Sequence, residues 1–356
     1  MSRGAGRLLV VLLGMLAALA VAGPASAHVG GAAAGSDFDG RVRSVTPAMP
    51  GVTVRVLQFG DDLEISNPTD TEVHVPGYFD EPYLRIGRDG VWRNERSPAT
   101  YINLDRFGRV TLPAEADAHA APKWVQVSTR SDYVWHDHRT HWMTQGLLPP
   151  AVAADPTVAH TVFVWTIALR HGDTPVTVTG ELTWSPPPSP WLVWPGLVLL
   201  VLVPVAAGLR GRGPRPLGAL LLVGAAALLW HALATPAPPA SVSSHAGAIL
   251  AALFPAVTGL LVAGLGFRAA LRGRGAMTGL LAAVLGWLFL VEGLPDVDVL
   301  WSAHVLSSGP QLPARLAVAV LVAFGPGLVV GGILAVRRFR ETAQPALDAG
   351  QPVPVG

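Results

Sequence analysis

The sequence predicts a membrane protein: an all-β domain outside the membrane, then an α-helical bundle of five transmembrane helices. Three observations lead there. Apolar residues make up 51% of the 356 residues and charged ones 14%, with mean hydropathy +0.43. In the second half they gather into runs long enough to cross a bilayer. From Gly51 to Trp184 the pattern instead alternates with period two between clusters of Gly, Pro, Asn and Asp, as short antiparallel strands do. The charges also divide, with 13 basic and 19 acidic residues over 28–190 (net −6) and 10 and 5 over 191–356 (net +5). An acidic domain on a basic-looped anchor offers nucleic acid no binding surface.

At the N-terminus, Arg3 and Arg7 precede an apolar stretch from Leu8 to Ala22, then Pro24 and Ala25-Ser26-Ala27. A basic region, a short apolar core and an A-x-A site read as a cleavable secretory signal over residues 1–27. Cleavage after Ala27 makes His28 the first residue of the mature chain.

The β domain is expected over residues 28–185. Its strand candidates are Val52–Val56, Leu63–Ser66, Glu72–Val75, Val125–Val127, Thr161–Ile167 and Val176–Leu182, with no helical period between them. About 160 residues suffice for one such sandwich or barrel core. The Pro-rich linker 186–190 is short and stiff, so the domain is expected to sit on the membrane surface.

The transmembrane domain is expected over 191–340, with spans at Trp191–Leu209, Leu217–Ala234, Gly247–Phe267, Ala276–Leu294 and Ala314–Val336. Each approaches the ~20 apolar residues that a bilayer core requires. Arg210, Arg212, Arg215, Arg268, Arg272, Arg274, Arg337, Arg338 and Arg340 flank one set of ends, against Arg315 alone on the other. This asymmetry puts the β domain outside the plasma membrane and the C-terminus in the cytoplasm. Trp191, Trp194, Trp230 and Trp301 fall where an outer aromatic belt belongs. Pro204, Pro255 and Gly325-Pro326-Gly327 read as kinks relieved by neighbouring helices. The tail 341–356 has a disordered composition.

The chain has 11 histidines and no cysteine. The missing thiols exclude disulfides, iron–sulfur ligation, thiolate zinc sites and a cysteine-ligated blue-copper centre. Three histidines crowd into Trp135-His136-Asp137-His138-Arg139-Thr140-His141-Trp142-Met143. On an extended strand His136 and His138 share a face, with Asp137 pointing away; His141 joins only if the chain turns after His138. Neutral imidazoles at this spacing suit zinc, Cu(II) or nickel. A free α-amine, with a pKa near ~8, ligates near neutral pH, so His28 offers both amine and ring. That nitrogen-rich set favours Cu(II), the strongest binder of the divalent series. Met143 offers one optional soft ligand, and zinc is the alternative metal. In the membrane half His231, His245, Glu292, Asp296, Asp298 and His304 all map to the outer side, as functional candidates or as interfacial groups.

The H-x-H-x-D-H zinc motif of metallo-β-lactamase-like hydrolases does not fit, because Thr140 stands where its Asp belongs. Trp135-His136-Asp137-His138 instead resembles the W-H-x-H strand in the copper-binding outer domain of the particulate methane and ammonia monooxygenases. In that family the mature N-terminal histidine, here matched by His28, joins the two strand histidines on copper. The resemblance implies a cupredoxin-like sandwich; an immunoglobulin-like sandwich is the other architecture expected. It covers these residues and the order of signal, β domain and membrane helices. One outer domain stands where that family has two, and five spans follow it, so the family's enzymatic activity does not carry over.

The sequence reading is therefore a cell-envelope protein that binds copper for capture, delivery or homeostasis, in contact with the lipid bilayer and an envelope protein partner. The alternative is a metal-independent scaffold or sensor whose β domain binds a protein. An enzyme would need a substrate pocket that the sequence does not reveal. No strand–loop–helix phosphate cradle supports nucleotide binding.

Overall fold

A computed structural model describes residues 34–341 of the chain. The signal segment 1–27, His28 and the tail beyond Glu341 lie outside the described residues.

Among the described residues the N-terminal half forms eleven strands in chain order: β1 (Gly35–Ser36), β2 (Phe38–Thr46), β3 (Thr53–Leu57), β4 (Asp62–Ser66), β5 (Val73–Pro76), β6 (Pro82–Gly87), β7 (Gly90–Asn94), β8 (Trp124–Ser128), β9 (Asp132–His136), β10 (His160–His171) and β11 (Thr174–Trp184). Seven of them make one antiparallel sheet in the order β2-β11-β10-β5-β6-β7-β8; β3, β4 and β9 make a second. Period two explains the core between them. Along β10, Trp165, Ile167 and Leu169 are buried, while Val164, Thr166 and Ala168 between them are exposed. They meet Leu63, Ile65 and Trp135 of the small sheet in one sandwich-like cluster with Val75, Leu84 and Ile86. At ~25 cal/mol per Å² of apolar surface removed from water, that cluster supplies the main drive for the domain to fold.

Among the strands outside the expected set are β2, β6 and β7. β2 carries Arg41 and Arg43, which disguise it in the sequence, yet both pair with the buried Glu181 on β11. β6 and β7 form a tight hairpin in which Gly87 pairs with Gly90. Gly90 has φ +135°, which suits glycine. Two short helices also interrupt the β pattern: α1 (Ala99–Ile102) and α2 (Pro150–Ala154). At four and five residues, neither is long enough to show a helical period.

Five further helices follow: α3 (Pro190–Arg210), α4 (Arg215–Leu233), α5 (His245–Leu271), α6 (Gly275–Gly293) and α7 (Gln311–Glu341). All are long and apolar enough to cross a bilayer. Trp191 and Leu192 are 88% and 80% exposed, an arrangement suited to lipid rather than water. The helices meet through small residues, as membrane helices do. A Cβ at Gly286 of α6 would stand 2.5 Å from the Gly325 carbonyl of α7, and one at Gly332 2.4 Å from the Gly279 carbonyl. The Gly325-Pro326-Gly327 triplet thus serves close helix contact, and α7 runs through it without a break.

The two halves are clamped together. β1 pairs with β12 (His304–Val305), in the loop between α6 and α7. Asp37 accepts from the Ala303 amide at 2.8 Å, and Asp298 from the Gly35 amide at 3.0 Å. Arg130 donates to the Ala240 carbonyl at 2.6 Å, and the Ala240 amide donates to Glu64 at 2.6 Å, in the loop between α4 and α5. Both loops lie at the ends of the helices facing the β domain. The nine flanking arginines lie at the opposite ends.

Candidate metal centre

The site begins at the end of β9, where Asp62 of β4 sits opposite His136. The strand stops there because Asp137 collects the local donors. Its carboxylate, fully buried, accepts from Trp135 Nε1 at 2.8 Å, from the Arg139 amide at 3.1 Å, and from Arg139 Nε and Nη2 at 2.8 and 2.7 Å. Burial alone would raise the Asp137 pKa, but the Arg139 guanidinium and the Trp135 N–H outweigh it and hold the pKa low. The Thr140 amide closes the turn onto the Asp137 carbonyl at 3.2 Å. Thr140 Oγ1 donates to the Gly60 carbonyl at 2.6 Å, tying the turn to the segment before β4.

The strand-face expectation for His136 and His138 is therefore corrected. β9 ends at His136, and His138 stands in the turn. The chain turns one residue earlier than the condition for His141 required, and that turn brings His141 in. One ligand nitrogen from each of His136, His138 and His141 lies within 4.8 Å of the others. Ring centroids are separated by 4.6 Å (136–141), 5.1 Å (136–138) and 5.7 Å (138–141). Two nitrogens bound to one ion at ~2.1 Å stand at most about 4.2 Å apart, so the rings close on a metal by a small inward shift. Asp137 points away, as expected, and braces the turn through Trp135 and Arg139.

Acceptors beside His138 and His141 fix the tautomers of those two rings. His138 Nε2 donates to the Asp105 carbonyl at 2.9 Å, which leaves the lone pair of Nδ1 as that ring's possible ligand. His141 Nδ1 donates to the Trp142 carbonyl at 3.1 Å, and its Nε2 is buried without a partner. His136 has an acceptor at each nitrogen, the Arg106 carbonyl 3.3 Å from Nε2 and Asp62 Oδ1 3.5 Å from Nδ1, so it gives up one of them to bind an ion. Such an outer hydrogen bond on each ring is the usual support of a metal-binding histidine. The orphaned His141 Nε2 costs on the order of 1–3 kcal/mol without an ion.

Sequence reasoning missed this support. Asp105 and Arg106 follow α1 in a loop with no metal motif. Tyr78, at the β5–β6 turn, accepts from the His138 amide at 3.0 Å and donates to Asn103. Only the long-range pairing of β4 with β9 brings Asp61 and Asp62 near. Met143 is half-buried two residues past His141. His74 and His171 sit at the β5–β10 seam, where His74 pairs with Glu72 at 3.4 Å. In the membrane half, His231 faces Asp296 at 3.4 Å and His245 Nε2 donates to the Thr235 carbonyl at 2.8 Å.

The three rings titrate apart. Burial pulls His141 down to about 4 and lowers His138. Burial also pulls on His136, but Asp62 and the Arg106 carbonyl outweigh it and the net shift is upward. His138 and His141 are therefore neutral at pH 7, and His136 is the last ring to lose its proton as pH rises. Metal binding needs all three neutral. Affinity is expected to fall about tenfold per pH unit below the raised His136 pKa, as one proton competes with the ion, and metal titrations between pH 5 and 8 check it. An affinity independent of pH across that range would exclude His136 as a ligand.

The chain matches no known protein-family model, no curated protein and no solved structure.

Proposed function

We propose that this chain is a plasma-membrane protein that binds a divalent transition metal, copper, on an extracytoplasmic β domain for capture, delivery or homeostasis. The observation that carries it is the His136–His138–His141 cluster, in which the His141 Nε2 is buried without a hydrogen-bond partner. Three neutral imidazoles without a thiolate bind Cu(II) ahead of the other divalent ions, and zinc is the alternative metal. His28 adds an amine and a fourth ring if the mature chain begins there. Support for its reach is that Gly35 and Ser36 line the same cleft as His141, and six residues extend by about 20 Å. Met143 remains an optional soft donor. The outside placement follows from the arginines at the helix ends away from the β domain.

The test is metal analysis of the full chain purified from its native membrane. About one copper per chain is expected. A folded chain without stoichiometric metal would favour a scaffold or sensor that binds a protein partner.

A further inference from the structure

A cleft of about 820 Å³ opens beside the triad, and His141 lines it. That volume falls within the ~300–1,000 Å³ typical of small-molecule sites. Phe38, Phe59, Phe107, Trp142 and Leu147 make its apolar wall. Its charged lining residues, Asp61 and Arg106, neutralise each other through two bonds of 2.6 and 2.7 Å. The cleft therefore suits an uncharged guest. Two of its lining residues, Gln58 and His141, each carry a buried polar atom without a hydrogen-bond partner, Oε1 and Nε2 respectively. The wall is also built at a conformational cost. Gln58 and Phe59 are non-glycine residues at φ +51° and +59°, a left-handed geometry that persists where surrounding structure over-determines it. Here Gly60, at φ +127°, packs against the Thr140 carbonyl of the histidine turn.

We propose that this cleft binds an uncharged small organic molecule with an aromatic or branched-alkyl body and one nitrogen or oxygen donor. The body lies against the phenylalanines and Trp142. The donor completes the coordination of the ion at His136, His138 and His141, since three imidazoles leave a position open, and it competes for that position with a His28 amine. The assignment rests on the metal reading above and adds the class of ligand that the centre takes.

Imidazole and 4-phenylimidazole, titrated separately into detergent-solubilised, copper-loaded full chain, test it. They share a donor and differ in the body. The shift of the copper absorption and paramagnetic spectrum should report 4-phenylimidazole binding at least about tenfold more tightly. In a Phe38→Ala, Leu147→Ala double variant the preference should shrink to about threefold or less, with copper and imidazole affinities unchanged. Equal affinities in the unmodified chain would overturn the cleft assignment and leave the metal reading intact, as would a preference that survives the double variant. A preference that emerges only after residues 28–33 are removed would assign the cleft to the chain's own N-terminal segment and overturn the proposal. Failure of the copper spectrum to develop before any probe is added would sink the metal reading itself, and this proposal with it.

Discussion

Replacing His136 and His138 together by alanine is expected to abolish specific metal binding, with affinity falling more than about a hundredfold. Loss of an outer partner of a metal-binding histidine already costs about 10- to 100-fold, and this change removes two of the three rings themselves. His141 alone, 2% exposed and lowered to about 4, is a neutral single donor that holds no ion tightly. The fold should survive, because His136 is partly exposed and His138 stands in a turn outside the β9 ladder. A His74→Ala control should change affinity little, because His74 lies at the β5–β10 seam and pairs with Glu72. Calorimetric titration of the full chain reads both variants. Retention of full affinity in the double variant would place the metal elsewhere.

Asp137→Ala should produce the largest loss of stability at the site, about 3–5 kcal/mol, because it strips a buried ion pair of one partner. Arg139 would keep its position over the Tyr78 ring, 5.2 Å from the centroid, with no carboxylate to meet. Trp135 Nε1 would lose its acceptor inside the core. The turn that swings His141 toward His136 and His138 would loosen at the same time, so metal affinity should fall although no ligand has changed. Denaturant unfolding followed by tryptophan fluorescence measures the first effect and metal titration the second. A loss below about 1 kcal/mol with unchanged affinity would show that Asp137 does not hold the turn.

How far the sequence carried this picture depends on the range of the contacts involved. The membrane spans were legible because each is a continuous apolar run, and the described helices coincide with them within a few residues. Strands such as Thr53–Leu57 were legible from alternation. β2 was not, because its Arg41 and Arg43 become meaningful only beside Glu181, about 140 residues away. At the site, the three crowded histidines were visible as a cluster, but their convergence was misread as a strand face. The turn is set by Asp137 gathering Trp135 and Arg139, and local spacing alone does not say which way a carboxylate will fold back. The carbonyls of Asp105 and Arg106 carry no side-chain signature at all. His28, the residue on which the resemblance to the monooxygenases leans most, lies outside the described residues.

The most direct test of the account is Cu(II) titration of the full chain followed by paramagnetic resonance. One tetragonal Cu(II) per chain, with hyperfine splitting from at least three nitrogens, is the predicted result. A spectrum of oxygen-coordinated copper, or one unchanged when His136, His138 and His141 are all replaced, would contradict it.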